Sequence, residues 1–180
     1  MTETKKKKHI GIYIHHQNKD HWFRFKELLP HFCAKLTIFS SLDLRADIGE
    51  ENTFKKLPLE KKECFKALAE YANDSGPELF YIDESVEVAT FINLLGIPYV
   101  FARMKNGKEN DLAYHLACDA SVFNIAPYDN SIEEDWYKKT PYYDKTKYRF
   151  SKQDEINHKL VCMYLEEEFC SIRRGLKLKF

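Results

Sequence analysis

Residues 78–104, ELFYIDESVEVATFINLLGIPYVFARM, decide the fold. The stretch opens on a short apolar run, ELFYID (78–83), continues with helical spacing through ESVEVATFINLLG (84–96), and closes on a second apolar run, PYVFARM (98–104). Two strands joined through a helix form a crossover connection, and crossovers join parallel strands, whereas antiparallel neighbours need only a tight turn. Gly96 reads as the helix stop, because glycine enters the left-handed conformation beyond a helix end without steric cost.

The same alternation extends in both directions. Upstream, HIGIYIH (9–15) reads as a strand, HWFRFKELLPHF (21–32) as a helix and KLTIFSS (35–41) as a second strand. A polar, irregular segment runs to about Leu57, and PLEKKECFKALAEYAN (58–73) then reads as a helix with Pro58 in its first turn and Cys64, Leu68 and Tyr71 along one face. Downstream, DLAYHLACDA (111–120) is a helix with Asp111 as its N-cap, followed by the strand SVFNIAP (121–127). The pattern predicts an α/β domain built on a doubly wound, mostly parallel sheet.

Composition agrees with one domain: 180 residues, 44% hydrophobic and 14% aromatic, suffice for a single core. Twenty-eight basic residues balance 28 acidic ones, so no net field recommends a nucleic acid as partner. Five cysteines, odd in number and without a C-x-x-C pair, suit free thiols in a reducing cytoplasm. No apolar run reaches the length of a membrane span. The lysines at 5–8 read as a solvated, disordered basic tail over residues 1–8, so membrane association is at most peripheral.

In a doubly wound sheet, ligands collect beyond the carboxyl ends of the strands. The residues that follow the predicted strands are His15, His16, Asp83, Arg103 and Tyr128, a mixture of imidazole, carboxylate, guanidinium and phenol suited to binding a polar substrate or moving a proton. The same residues would serve equally as caps and surface groups. Asp83, Glu84 and Glu87 read either as acid–base carboxylates or as the cap and acidic first turn of the next helix, and residue preferences favour Asp83 as the cap. His115 reads as a packed histidine or a functional one. His15, His16 and His21 do not suggest a metal, since adjacent strand residues face opposite ways and no cysteine or carboxylate stands at ligand spacing. No G-x-G-x-x-G occurs, and no cofactor is expected.

The turn in HIGIYIHHQNKDHWFRF (9–25) carries Asn18, Lys19 and Asp20 where a phosphate-binding turn would carry glycines. Asp20 is placed to cap the following helix, so the helix would hold its own anion and a phosphate there is not expected.

HIGIYIHH with HWFRFKELLPH, the central LFYIDESVEVATFINLLGIPYVFARM, NDLAYHLACDA and IAPY together resemble the N-terminal, acceptor-side half of GT-B glycosyltransferases. The resemblance is to the family 28-like proteins related to the N-acetylglucosaminyltransferase that makes lipid II. It implies a Rossmann-like domain over residues 9–150 with His21 and Asp83 as catalytic residues. His15, His16, Glu87, Arg103, Asp111 and His115 would then lie on the acceptor side. The family's H-H-x-G-x-G-H turn keeps its histidines here but has Asn18 and Asp20 in place of both glycines. Its glycine-rich link to the second domain reads KKTPYYDKTKYRF (138–150), and no donor motif follows Phe150.

Residues 151–180 read instead as a helical segment, with Ile156, Leu160, Val161, Tyr164, Leu165, Phe169 and Ile172 on one apolar face. The resemblance therefore implies the acceptor-binding half of a hexosyltransferase, inactive without a nucleotide-sugar domain. Its partners would be a donor-domain subunit or a second copy of the chain, and a sugar or lipid-linked acceptor. The alternative is a degenerate, non-catalytic relative that binds or regulates.

Overall fold

The computed structural model describes residues 9–15, 19–26, 28–32, 34–73, 76–103, 111–126 and 148–150. Among the described residues, seven strands form one sheet: β1 (His9–Tyr13), β2 (Lys35–Ser40), β3 (Thr53–Lys56), β4 (Leu79–Asp83), β5 (Tyr99–Ala102), β6 (Phe123–Ala126) and β7 (Tyr148–Phe150). Their order is β3-β2-β1-β4-β5-β6-β7, and every pairing is parallel. The described helices are α1 (Lys19–Lys26), α2 (Lys61–Asn73), α3 (Val86–Leu94) and α4 (Leu112–Ala120). The chain order reverses between β1 and β4, which opens a crevice at the carboxyl ends of those two strands.

Alternation along the strands divides the core in two. Ile10, Ile12 and Ile14 share one face with Leu79 and Tyr81, and there they meet Trp22, Phe25 and Leu28. Tyr13, Phe80 and Ile82 share the other face with Leu68 of α2, Val88 and Ile92 of α3 and Tyr114 of α4. Each of the large apolar side chains buried on these faces contributes roughly 1.5–3 kcal/mol. Gly11 makes room on the second face, because a Cβ there would lie 2.7 Å from the Phe80 ring. The absent side chain lets that ring cross from β4 over β1 towards Phe39, with centroids 5.5 Å apart.

The helix ends follow local chemistry. Gly96, with φ +72°, closes α3: its N–H donates to the Asn93 carbonyl at 2.9 Å, and the Ile97 N–H donates to the Ile92 carbonyl at 3.2 Å. Asp111 caps α4, its carboxylate accepting from the Tyr114 N–H at 3.1 Å.

Four expectations change. Helix α1 begins at Lys19 and ends at Lys26, followed by a 3-10 turn over Leu29–His31, so Asp20 lies inside its first turn rather than before it. Pro58 precedes α2 by three positions instead of sitting in its first turn. The segment read as irregular contains β3, an edge strand paired with β2 from Thr37↔Thr53 to Ser40↔Lys56. Part of the stretch read as an interdomain link is β7, which extends the sheet beyond β6. The helix expected within 151–180 lies outside the described residues. Among the described residues no helix is long and apolar enough to cross a membrane.

Candidate active site

His21 and Phe25 stand at i and i+4 on one face of α1, and Leu28 follows just beyond the helix end. Phe25 and Leu28 are buried, and Phe25 packs on Tyr81 with ring centroids 5.1 Å apart. On β4, residue 83 points to the same face as residue 81, two positions further towards the carboxyl end. One turn back on the helix and one step on along the strand bring His21 and Asp83 together, with Nδ1 2.5 Å from Oδ2. Their side chains are 13% and 4% exposed, so water screens the contact little.

A second carboxylate joins them. In an extended strand Glu84 would point away from Asp83, yet its φ is +56°, a left-handed conformation rare for a non-glycine residue. Its N–H donates to the Ala102 carbonyl at 3.0 Å, and its Oε2 comes 3.9 Å from His21 Nδ1. The ligand-type atoms of His21, Asp83 and Glu84 all lie within 4.8 Å of one another. Spacing in the sequence could not reveal this cluster, because the histidine and the carboxylates reach it from different elements.

His15 stands directly beyond β1. Its approach is fixed by the Ile14 N–H donating to the Phe39 carbonyl at 3.0 Å, and by the buried Ser40 hydroxyl donating to the Ile14 carbonyl at 3.1 Å. The His15 ring is 5.7 Å from that of His21 and 6.4 Å from that of Tyr13. It also lines a cleft of about 260 Å³ between the ends of β1 to β3 and the helices α2 and α3.

Leu57, Pro58, Phe65 and Val88 make the cleft apolar, while Tyr13, Ser41, Ser85 and Glu87 give it polar points. The Ser41 hydroxyl is buried without a hydrogen-bond partner among the described residues, which leaves it for a ligand. Burial pushes the Tyr13 phenol up, against the opposing hydrogen bond from Ser85, so it stays protonated. Burial likewise pushes up the Cys64 thiol in the cleft wall. Glu87 is exposed and takes a hydrogen bond from Lys61 Nζ at 3.1 Å. Its carboxyl is held below the usual range, first by its own backbone N–H and then by Lys61.

Asp83 is not the cap of α3. Ser85 holds that position, accepting from the Val88 N–H at 3.4 Å, while Asp83 completes β4 opposite Ala102. Arg103, one residue beyond Ala102, is 1% exposed and donates from Nε to the Tyr114 hydroxyl at 3.1 Å. His115 is buried beside Tyr114, with rings 6.1 Å apart. The residues expected at the site thus divide: His15, His21, Asp83 and Glu87 border the crevice between β1 and β4 or its cleft, whereas Arg103, Asp111 and His115 gather about Tyr114 of α4. His16 and Tyr128 lie outside the described residues. The sequence reading missed the cleft wall at Leu57, Pro58 and Phe65, because without β3 nothing placed Leu57 at a strand end.

The glycotransferase of kitacinnamycin has a similar structure: it superposes at a TM-score of 0.56 and 12% identity, over 81% of this chain and 51% of that one. The chain has a glycosyltransferase-like fold. A UDP-glucosyltransferase from Polygonum tinctorium capable of glucosylating indoxyl also aligns, at a TM-score of 0.45 and 13% identity, over 63% of this chain and 32% of that one. The chain therefore spans about half the length of the first structure and about a third of the second. No family model and no curated protein matches the sequence.

Proposed function

We propose that the chain is the acceptor-binding half of a GT-B-type hexosyltransferase, related to the family 28-like enzymes, and that His21 is its general base. The observation that carries this reading is the 2.5 Å contact between His21 Nδ1 and Asp83 Oδ2 at the switch point of the sheet. A carboxylate at Nδ1 keeps the proton on that nitrogen, so Nε2 on the opposite side of the ring is the atom that accepts a proton. An acceptor hydroxyl brought to Nε2 gives up its proton as its oxygen bonds to the anomeric carbon of the donor sugar. The bond from that carbon to the nucleotide diphosphate breaks with its electron pair, and Asp83 stabilises the imidazolium that forms. The cleft beside His15 holds the body of the acceptor.

On this reading the nucleotide sugar binds to a second domain, and transfer requires both halves to position the reactants. Incubating the purified chain with UDP-GlcNAc and candidate alcohols tests the division of labour. No turnover is expected from the chain alone. Turnover that disappears in His21→Ala would place the donor site within this chain and overturn the two-part reading.

A further inference from the structure

We infer that His21, Asp83 and Glu84 form a binding site for one divalent transition-metal ion of the zinc class, and that such an ion switches off the His21–Asp83 pair. The inference rests on the proposed role of that pair and adds a regulator to it. One imidazole nitrogen and two carboxylates form the mixed donor set that zinc accepts, with a fourth position left for water. Their ligand atoms already lie within 4.8 Å of one another. In a four-coordinate zinc site, donors about 2.0–2.2 Å from the metal stand roughly 3.3–3.5 Å apart. The His21–Asp83 separation of 2.5 Å must therefore open, and the His21–Glu84 separation of 3.9 Å must close, by under about 1 Å each.

The second carboxylate separates this arrangement from a plain His–Asp pair. Orienting an imidazole needs one carboxylate, and Asp83 already stands beside Nδ1. Glu84 is turned towards the same nitrogen by a left-handed backbone that costs free energy in a non-glycine residue. The cluster is largely shielded from solvent, with side-chain exposures of 13%, 4% and 16%, so a cation would find concentrated, weakly screened negative charge. Metal binding at Nδ1 requires the ring's one proton to pass, by way of solvent, from Nδ1 to Nε2, and moves the Asp83 oxygen from imidazole to metal. The neutral imidazole then carries its proton on Nε2, where it cannot accept one from an alcohol.

Glu84→Gly provides the test, because glycine suits φ +56° and the variant keeps the fold while losing a ligand. Chelator-stripped full-length chain is titrated with zinc chloride by calorimetry, and with cobalt chloride by visible absorption. Wild type is expected to saturate at one ion per chain, with the visible bands of tetrahedral cobalt. Glu84→Gly and Asp83→Asn should each weaken zinc by at least about tenfold. His9→Ala, which removes the imidazole bonded to Thr37 at the other end of β1, should leave binding unchanged. Absence of saturable zinc binding to wild type, or equal affinity in Glu84→Gly, overturns the metal site. Such a failure leaves the His21–Asp83 reading standing, since neither titration depends on transfer activity.

Discussion

Phe25 of α1 and Tyr81 of β4 pack with ring centroids 5.1 Å apart, and this contact sets the height at which the helix meets the strand. His21 lies one turn before Phe25 and Asp83 two residues after Tyr81, so the aromatic pair aligns the polar pair above it. Phe25→Ala should cost about 3–5 kcal/mol in chemical denaturation, the usual range for emptying a buried aromatic site. Phe25→Leu should cost less and still disturb the His21–Asp83 contact, which histidine NMR would report.

Glu84→Gly should stabilise the apo protein. Relief of a left-handed non-glycine backbone is worth about 1 kcal/mol, against the added chain entropy of glycine and the loss of one 3.9 Å approach to His21. A thermal melt in the presence of chelator should show a higher midpoint than wild type. A lower midpoint would mean that the Glu84 side chain stabilises the fold by more than its backbone conformation costs.

Asp111→Ala should destabilise by about 0.5–2 kcal/mol and Asp111→Asn by much less, because asparagine also caps. Equal losses in urea denaturation would show that charge, rather than the capping hydrogen bond, matters at this position. Asp111 was expected on the acceptor side, so a pure cap predicts that acceptor binding survives in Asp111→Asn.

Site-resolved alkylation reads the cleft. Burial holds the Cys64 thiol pKa above its ordinary value, so the reactive thiolate is scarce at neutral pH. Iodoacetamide should label Cys64 slowly at pH 7 and faster as pH rises above the ordinary thiol range, and an alcohol that fills the cleft should slow it further. Rapid labelling at pH 7, unaffected by any cleft ligand, would contradict the half-buried placement.

What the sequence disclosed was local. The strand–helix–strand of 78–104, the stop at Gly96 and the cap at Asp111 each rest on neighbouring residues, and each stands in the structure. β3 was illegible because its four residues, TFKK, include two lysines and become a strand only by pairing with β2. The start of α1 moved by two residues, within the ordinary uncertainty of helix ends. Asp83 was misjudged as a cap for a more instructive reason. Its preference for helix starts is real, but strand pairing with Ala102 carries β4 through it, and Ser85 takes the cap. Its contact with His21 depends on which face of the sheet α1 covers, a property of the assembled fold.

The tautomer of His21 tests the central claim most directly. Long-range nitrogen–carbon NMR correlations on labelled, metal-free protein should show the proton on Nδ1 in wild type, exchanging slowly because Asp83 holds it. In Asp83→Ala the ring should revert to a mixture of tautomers with fast exchange. A wild-type His21 protonated on Nε2, or a spectrum unchanged by Asp83→Ala, would contradict the account.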